Sequence, residues 1–348
     1  MPHREALIHA WPGRGQPQPP DPGSHLPTAW VTGGDWSFDL NTLHLIIGSP
    51  RNGPEPPHQA DRRQALPAHR HDRTVGGKRR PRAMSTETPP LPDIQSKADT
   101  RRIPIDQVGI KGLRHPVRVL DREGGEQATV ATFNLYVSLP HNFKGTHMSR
   151  FVELIEAEDR EIDTRSFLEL LPELTTRLDA EAGRIEMRFP YFINKTAPVS
   201  GVESLLDYEV TFIGETDGRD RRITVQVRIP VTSLSPSSKE TARYGAYNQR
   251  TLITITATIT DFIWIEELID VAEQAASSEL FGLLKRPDEK HVTERAYENA
   301  RSVVDITREI AARLSQDSRI ASCTIDVESH ESVHNYSAYA NLTLNDPV

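Results

Sequence analysis

The chain has a single cysteine, Cys323, in 348 residues. One thiol excludes an intramolecular disulfide framework and fits a reducing compartment. It stands in Ala-Ser-Cys-Thr-Ile-Asp-Val, where Cys323, Ile325 and Val327 alternate with polar residues, so a buried strand thiol is expected rather than a reactive one. Long apolar runs are lacking too. No window approaches the ~20 residues of a membrane span, and no apolar run of about 7–15 residues follows the opening Met-Pro-His-Arg-Glu as a secretory signal would require. The expectation is a cytoplasmic protein with neither a membrane nor a nucleic acid as partner.

What is present is unevenly distributed, with a boundary near Met84. Residues 1–83 hold 13 of the 26 prolines, 9 of the 20 glycines and 7 of the 13 histidines, with no sustained periodicity. Such a segment cannot bury enough apolar surface to offset roughly 1–2 kcal/mol of backbone entropy per residue, so a disordered extension is expected. Lys78-Arg79-Arg80-Pro81-Arg82 reads either as a targeting or nucleic-acid arm or as a solvated tail, and Met84 is an alternative start. The extension carries 11 Lys+Arg against 7 Asp+Glu, which leaves a net charge of −12 on the remaining 265 residues. The expected folded part is therefore acidic.

From about residue 114 an order of strand, strand, helix, helix, strand, strand runs twice. In the first copy a strand near Val117–Leu120 precedes one with Phe133, Leu135, Val137 and Leu139 on one face. A helix from Ser149 to about Asp159 follows, then one capped by Asp163 with Phe167, Leu171, Leu174 and Leu178 on one face and a kink expected at Pro172. Alternating runs at Ile185–Ile193 and Tyr208–Phe212 close the copy. The second copy has strands at Ile223–Ile229 and Ile253–Ile259, helices bearing Trp264, Leu268, Val271 and Ala275 and then Val303, Ile306, Ile310 and Leu314, and strands near 321–329 and 333–344. Clean alternation gives each sheet an apolar face for helices and a polar one, hence an α+β fold with antiparallel sheets. The expected organisation is an extension 1–83, an arm 84–113, and two ββααββ modules at 114–218 and 219–348. Open edge strands tend to pair with further copies, so a homo-oligomer is expected.

Three polar stretches interrupt the pattern, and loops on a rigid scaffold are where sites usually lie. Lys144-Gly145-Thr146-His147-Met148-Ser149-Arg150-Phe151 sits at a strand-to-helix junction, where N–H groups favour anions; it also reads as a cap by Ser149 with solvated cations. The second, Thr232 to Glu240 and on to Tyr244-Gly245-Ala246-Tyr247-Asn248-Gln249-Arg250, reads by itself as a polar hairpin loop. The third pairs Lys285 to Lys290, between two helices, with Glu331 to Tyr339, in which His330, Glu331 and His334 stand close together.

At these stretches the chain resembles the type IB family of GTP cyclohydrolases, along nearly all of residues 94–345. The resemblance is carried by Ile103-Pro104-Ile105-Asp106, Val108-Gly109-Ile110-Lys111-Gly112-Leu113, Lys144 to Phe151, Phe189-Pro190-Tyr191, Ala197 to Gly201, Ser238-Lys239-Glu240, Asn248-Gln249-Arg250 and Ser337-Ala338-Tyr339-Ala340. It implies the tunnelling fold, with two tandem ββααββ modules per subunit and barrels closed in a homotetramer. It also implies GTP as substrate, opening of its imidazole ring, release of C8 as formate and recyclisation to 7,8-dihydroneopterin triphosphate in folate biosynthesis.

The resemblance further implies a divalent metal that activates water, held at positions occupied here by Ser235, Tyr247, Glu289 and His334. Where the family pattern reads Cys-Pro-Cys-Ser-Lys-Glu this chain has Ser235-Pro236-Ser237-Ser238-Lys239-Glu240, and Tyr247 and Tyr336 replace family histidines. A serine hydroxyl binds zinc poorly beside a cysteine thiolate, and tyrosine with its pKa of ~10 is a weak ligand. Manganese is accordingly expected more than zinc. Glu331 stands where the family anchors a purine or pterin edge; Lys144, Arg150, Lys239 and Arg250 are implied triphosphate contacts; Ser235 and His147 are the implied catalytic positions, His147 as proton shuttle or replacement ligand. The alternative is a paralogue that binds a purine or pterin without hydrolysing it.

Overall fold

The computed structural model describes residues 101–157 and 161–345. The expected extension 1–83, with its basic run, therefore lies outside the described residues. Sixteen elements follow in the order β1 (Ile105–Leu120), β2 (Glu126–Leu139), α1 (Met148–Glu156), β3 (Glu161–Ile162), α2 (Thr164–Leu168), α3 (Leu170–Leu178), β4 (Gly183–Thr196), β5 (Glu203–Thr216), β6 (Arg221–Leu234), α4 (Pro236–Thr241), β7 (Asn248–Ile259), α5 (Ile265–Ala275), α6 (Arg286–Glu298), α7 (Val303–Leu314), β8 (Ile320–His330) and β9 (Ser337–Asn345). One nine-stranded sheet has the order β3-β1-β2-β4-β5-β6-β7-β8-β9, and each pairing is antiparallel except the short parallel contact of β3 with β1. The α+β class and the twice-run order of strands and helices are as the periodicity predicts.

The first strand is longer than the expected Val117–Leu120, reaching back to Ile105, because two register shifts let it stay paired with β2. The glycines of Val108-Gly109-Ile110-Lys111-Gly112 make those shifts feasible. A Cβ on Gly109 would collide with the Leu135 carbonyl, and Gly112 has φ +74°, a left-handed conformation that favours glycine. Asp163 caps α2 in a capping box with Ser166. The helical stretch then breaks at Glu169 instead of kinking at Pro172, since proline cannot donate to the Leu168 carbonyl four residues back. Two helices escape the periodicity altogether: α4, and α6, where Asp288 and Ala296 are the buried residues and no apolar stripe exists to be read.

Along most of β2, β4, β5, β6, β7 and β8 a buried face alternates with an outward one. On β7, Ile253, Ile255 and Ala257 are fully buried while the intervening threonines are not. The core lies between this face and the helices, with Phe167 and Phe189 packed edge-on against Phe212 at 5.5 and 5.4 Å. Each such side chain contributes about 1.5–3 kcal/mol by burial. Cys323 is buried on β8, and burial pushes its thiol up to about 12, which makes it inert at neutral pH.

Candidate functional site

Strand direction sorts the sequence-derived site residues into two places. The pairings Val137↔Gly183, Gly183↔Thr216, Thr216↔Arg221, Ile223↔Ile259 and Ile259↔Ile320 put the end of β2 at one edge of the sheet, together with Lys144, His147 and Arg150 just beyond it. The pairings Leu234↔Asn248, Thr251↔Ser329 and His330↔Ser337 put the end of β6, the start of β7 and the end of β8 at the opposite edge. Ser235, Tyr247, Arg250, Glu331 and His334 belong to this second edge. A 14-residue strand such as β6 is about 45 Å long, so within one chain the two groups do not meet.

At the first edge His147 is the N-cap residue of α1 and is half-buried. It lines a cavity with Phe143, Thr146, Arg150 and Leu178. Arg150 is exposed and donates to the Arg177 carbonyl at 3.1 Å, and Lys144 is exposed on the loop.

At the second edge Ser235 caps α4, its hydroxyl accepting from the Ser238 N–H at 3.2 Å. The Lys239 ammonium donates to the Tyr297 carbonyl at 2.6 Å and lies over the Tyr297 ring, which ties α4 to the C-terminal turn of α6. Glu289 is exposed in the first turn of α6, roughly 12 Å along the helix axis from Tyr297. That first turn is fixed by Asp288. Its carboxylate is fully buried and accepts from the N–H groups of Val199, Ser200 and Lys285 and from the Ser200 hydroxyl, at 2.6–2.8 Å. Burial would raise the Asp288 carboxyl, but these hydrogen bonds outweigh it and hold it well below the ordinary range. The Ala197–Gly201 turn is thereby clamped to α6, a contact that sequence reading missed because it joins residues 88 apart.

His334 is exposed and stacked on Tyr336, ring centroids 4.9 Å apart and planes within 6°. His330 Nδ1 lies 3.2 Å from the Ser337 hydroxyl. Arg250 points to the outward face of β7, one residue from buried Gln249. Glu331, half-buried just past β8, accepts a hydrogen bond from the Gln249 side-chain amide.

The donors present do not fit a zinc site of the family's kind. Among the described residues no three His, Cys, Asp or Glu side chains gather as metal ligands. Glu289 and His334 supply one carboxylate and one imidazole, and the oxygen at position 235 already serves the helix cap.

A sequence profile described as type I GTP cyclohydrolase folE2 matches residues 91–340. The chain belongs to the type I GTP cyclohydrolase FolE2 family. It is 60% identical over 252 residues to the GTP cyclohydrolase FolE2 of Methylobacillus flagellatus, covering 72% of this chain and 95% of that protein. With the GTP cyclohydrolase FolE2 of Nitrosococcus oceani it shares 59% over 253 residues, 73% of this chain and 95% of the relative. Among solved structures it is similar to the uricase of Arthrobacter globiformis, at 10% identity and a TM-score of 0.46, over 70% of this chain and 94% of that one. The FolE2 match spans both the β2–α1 junction and the β6–β8 edge, so both groups of site residues lie inside the family region.

Proposed function

We propose that this protein is a GTP cyclohydrolase. It hydrolyses the imidazole ring of GTP, releases C8 as formate and yields 7,8-dihydroneopterin triphosphate, the entry to pterin and tetrahydrofolate synthesis. Membership of the FolE2 family over both groups of site residues is the observation that carries this reading. The assay is formate release from GTP by the purified protein.

Glu331 is the proposed anchor of the guanine edge. Gln249 occupies one of its oxygens, and the other, which takes no hydrogen bond from the described residues, can accept from guanine N–H groups. Arg250 and Lys239 at the same edge, and Lys144 and Arg150 at the other, are proposed for the triphosphate, with Lys239 giving up its Tyr297 contact to do so. An acidic subunit needs such local cations to attract a polyanion. His147 is proposed to move the proton, and Ser235 to orient the attacking water.

The separation of the two groups supports a homotetramer, or at least an assembly in which a second copy brings its β2–α1 junction against the β6–β8 edge. The outer side of β9, and that of β1 outside the short stretch paired with β3, offer the backbone pairing for it. Of the metals that the family implies, manganese suits one carboxylate, one imidazole and neutral hydroxyls better than zinc does. A cytoplasmic location goes with this proposal, as a compartment that supplies GTP. Among the described residues no helix is long and apolar enough to cross a membrane.

The substitutions at positions 235 and 247 favour one second reading, a GTP- or pterin-binding relative of the enzymes that no longer hydrolyses. Binding without formate release distinguishes it.

A further inference from the structure

The core face of the sheet changes character at its last two rungs. Along β7 it reads Ile259, Ala257, Ile255 and Ile253, and then Thr251 and Gln249; on β6 Val231 gives way to Ser233, and on β8 Val327 to Ser329. Thr251 is fully buried, Ser329 and Ser233 are 1% and 3% exposed, and Gln249 is 7% exposed. Four polar side chains in a dry interior must satisfy one another. The Thr251 hydroxyl lies 2.7 Å from that of Ser233 and 3.0 Å from that of Ser329, which are themselves 3.1 Å apart, and this triangle has one outlet: Ser329 donates to Gln249 Oε1 at 3.4 Å, and Gln249 Nε2 donates to Glu331 Oε2.

A carboxylate accepts only, so the amide nitrogen of Gln249 must face it, and the amide oxygen must then be satisfied by Ser329. Each donor polarises the next, and the chain ends on Glu331 Oε2. A mere zipper between strands would need no such terminus. Three strand ends give up apolar packing to hold one carboxylate by one oxygen.

Building on the proposed role of Glu331, we infer that Gln249 is a positioning residue for guanine recognition. By fixing Oε2 it sets the plane of the Glu331 carboxylate, so that its remaining accepting capacity meets the N1–H and 2-amino groups of the base together. Gln249 touches no substrate itself. Recognition of the 2-amino group, and hence preference for GTP over inosine triphosphate, depends on that plane. A site built to accept an N–H discriminates strongly only when its geometry is fixed.

The test compares the binding of GTP and inosine triphosphate by calorimetry in the full-length protein and in Gln249→Met, Ser329→Ala and Glu331→Ala. Gln249→Met keeps side-chain length and an apolar fit in the core. The inference predicts that Gln249→Met weakens GTP about tenfold and inosine triphosphate much less, so that discrimination collapses toward that of Glu331→Ala; Ser329→Ala shifts it the same way by a smaller factor. A purely structural role lowers both ligands equally, and that result, or unchanged GTP binding, overturns the inference. If Gln249→Met does not fold, the discrimination ratio of Ser329→Ala decides in the same manner. If Glu331→Ala itself leaves the ratio unchanged, the anchor assignment fails, a result distinct from failure of the relay alone.

Discussion

Tyr191 and Tyr208 lie opposite each other on β4 and β5, and their hydroxyls reach two carboxylates, Glu266 and Glu273, two turns apart on α5. Lys195, two rungs further along β4 on the same face as Tyr191, donates to both Glu273 and Glu279. The strands β4 and β5 thus hold α5 and the residues just after it by polar contacts that are buried or nearly so. Burial and the facing Glu273 carboxylate both raise the Tyr208 phenol, so it stays a donor throughout the physiological range.

Tyr208→Phe removes one donor from the buried Glu273 carboxylate. A cost of about 1–2 kcal/mol is expected, which for a folded part of this size lowers the melting temperature by roughly 2–8 °C. Scanning calorimetry of the variant checks it, and an unchanged melting temperature contradicts the assigned role of this contact.

Acid should destabilise the fold through Asp288. Its folded pKa lies below the ordinary 3.8, so the unfolded chain binds the proton first and stability is lost as pH falls through and below that value. Glu279, held down from 4.5 by Lys195 and Arg295 against its own desolvation, adds the same sign. Glu273, raised chiefly by burial, opposes it. Melting temperature measured from pH 7 to 3 is expected to fall steeply below about pH 4.5 in the wild type and more gently in Asp288→Asn. Parallel curves for the two proteins would show that the clamp on α6 does not set the acid response.

Glu331→Ala should weaken GTP binding by roughly one to two factors of ten, the loss of a charge-assisted hydrogen bond worth about 1.5–3 kcal/mol. Calorimetry with GTP reads this whether or not turnover occurs. Wild-type affinity in the variant removes Glu331 from the site.

Two inactive variants should complement each other. If His147 of one copy works beside Glu331 of another, His147→Ala and Glu331→Ala subunits dissociated and reassembled together give intact sites in roughly a quarter of interfaces, with activity that neither protein has alone. No recovery, or a monomer by light scattering at micromolar concentration, refutes the shared site.

Zinc-supported activity should be small and added manganese should raise it. Ser235→Cys with Tyr247→His is expected to increase both metal content and formate release. About one tightly held zinc per subunit in active wild-type protein contradicts this.

Much of the fold was legible because strand alternation and the apolar stripes of α5 and α7 are local signals. The helix α6 was not, since its hold on the fold comes from Asp288, Lys239 and the Tyr297 carbonyl and not from an apolar face. The site residues were named from motif resemblance, which fixes identity but not place. Strand direction, set by pairings that only the folded sheet displays, is what parts His147 from Glu331. The relay from Thr251 to Glu331 left one trace in the sequence, the switch from isoleucine to threonine and glutamine along the core face of β7.

The direct test of the account is the product of GTP. Purified protein supplied with GTP and manganese, followed for formate and for a pterin triphosphate, is expected to release the two in equal amounts, and Glu331→Ala is expected to release neither. GTP that binds and is recovered intact, with no formate at any metal concentration, would contradict the claim that this chain opens the purine ring.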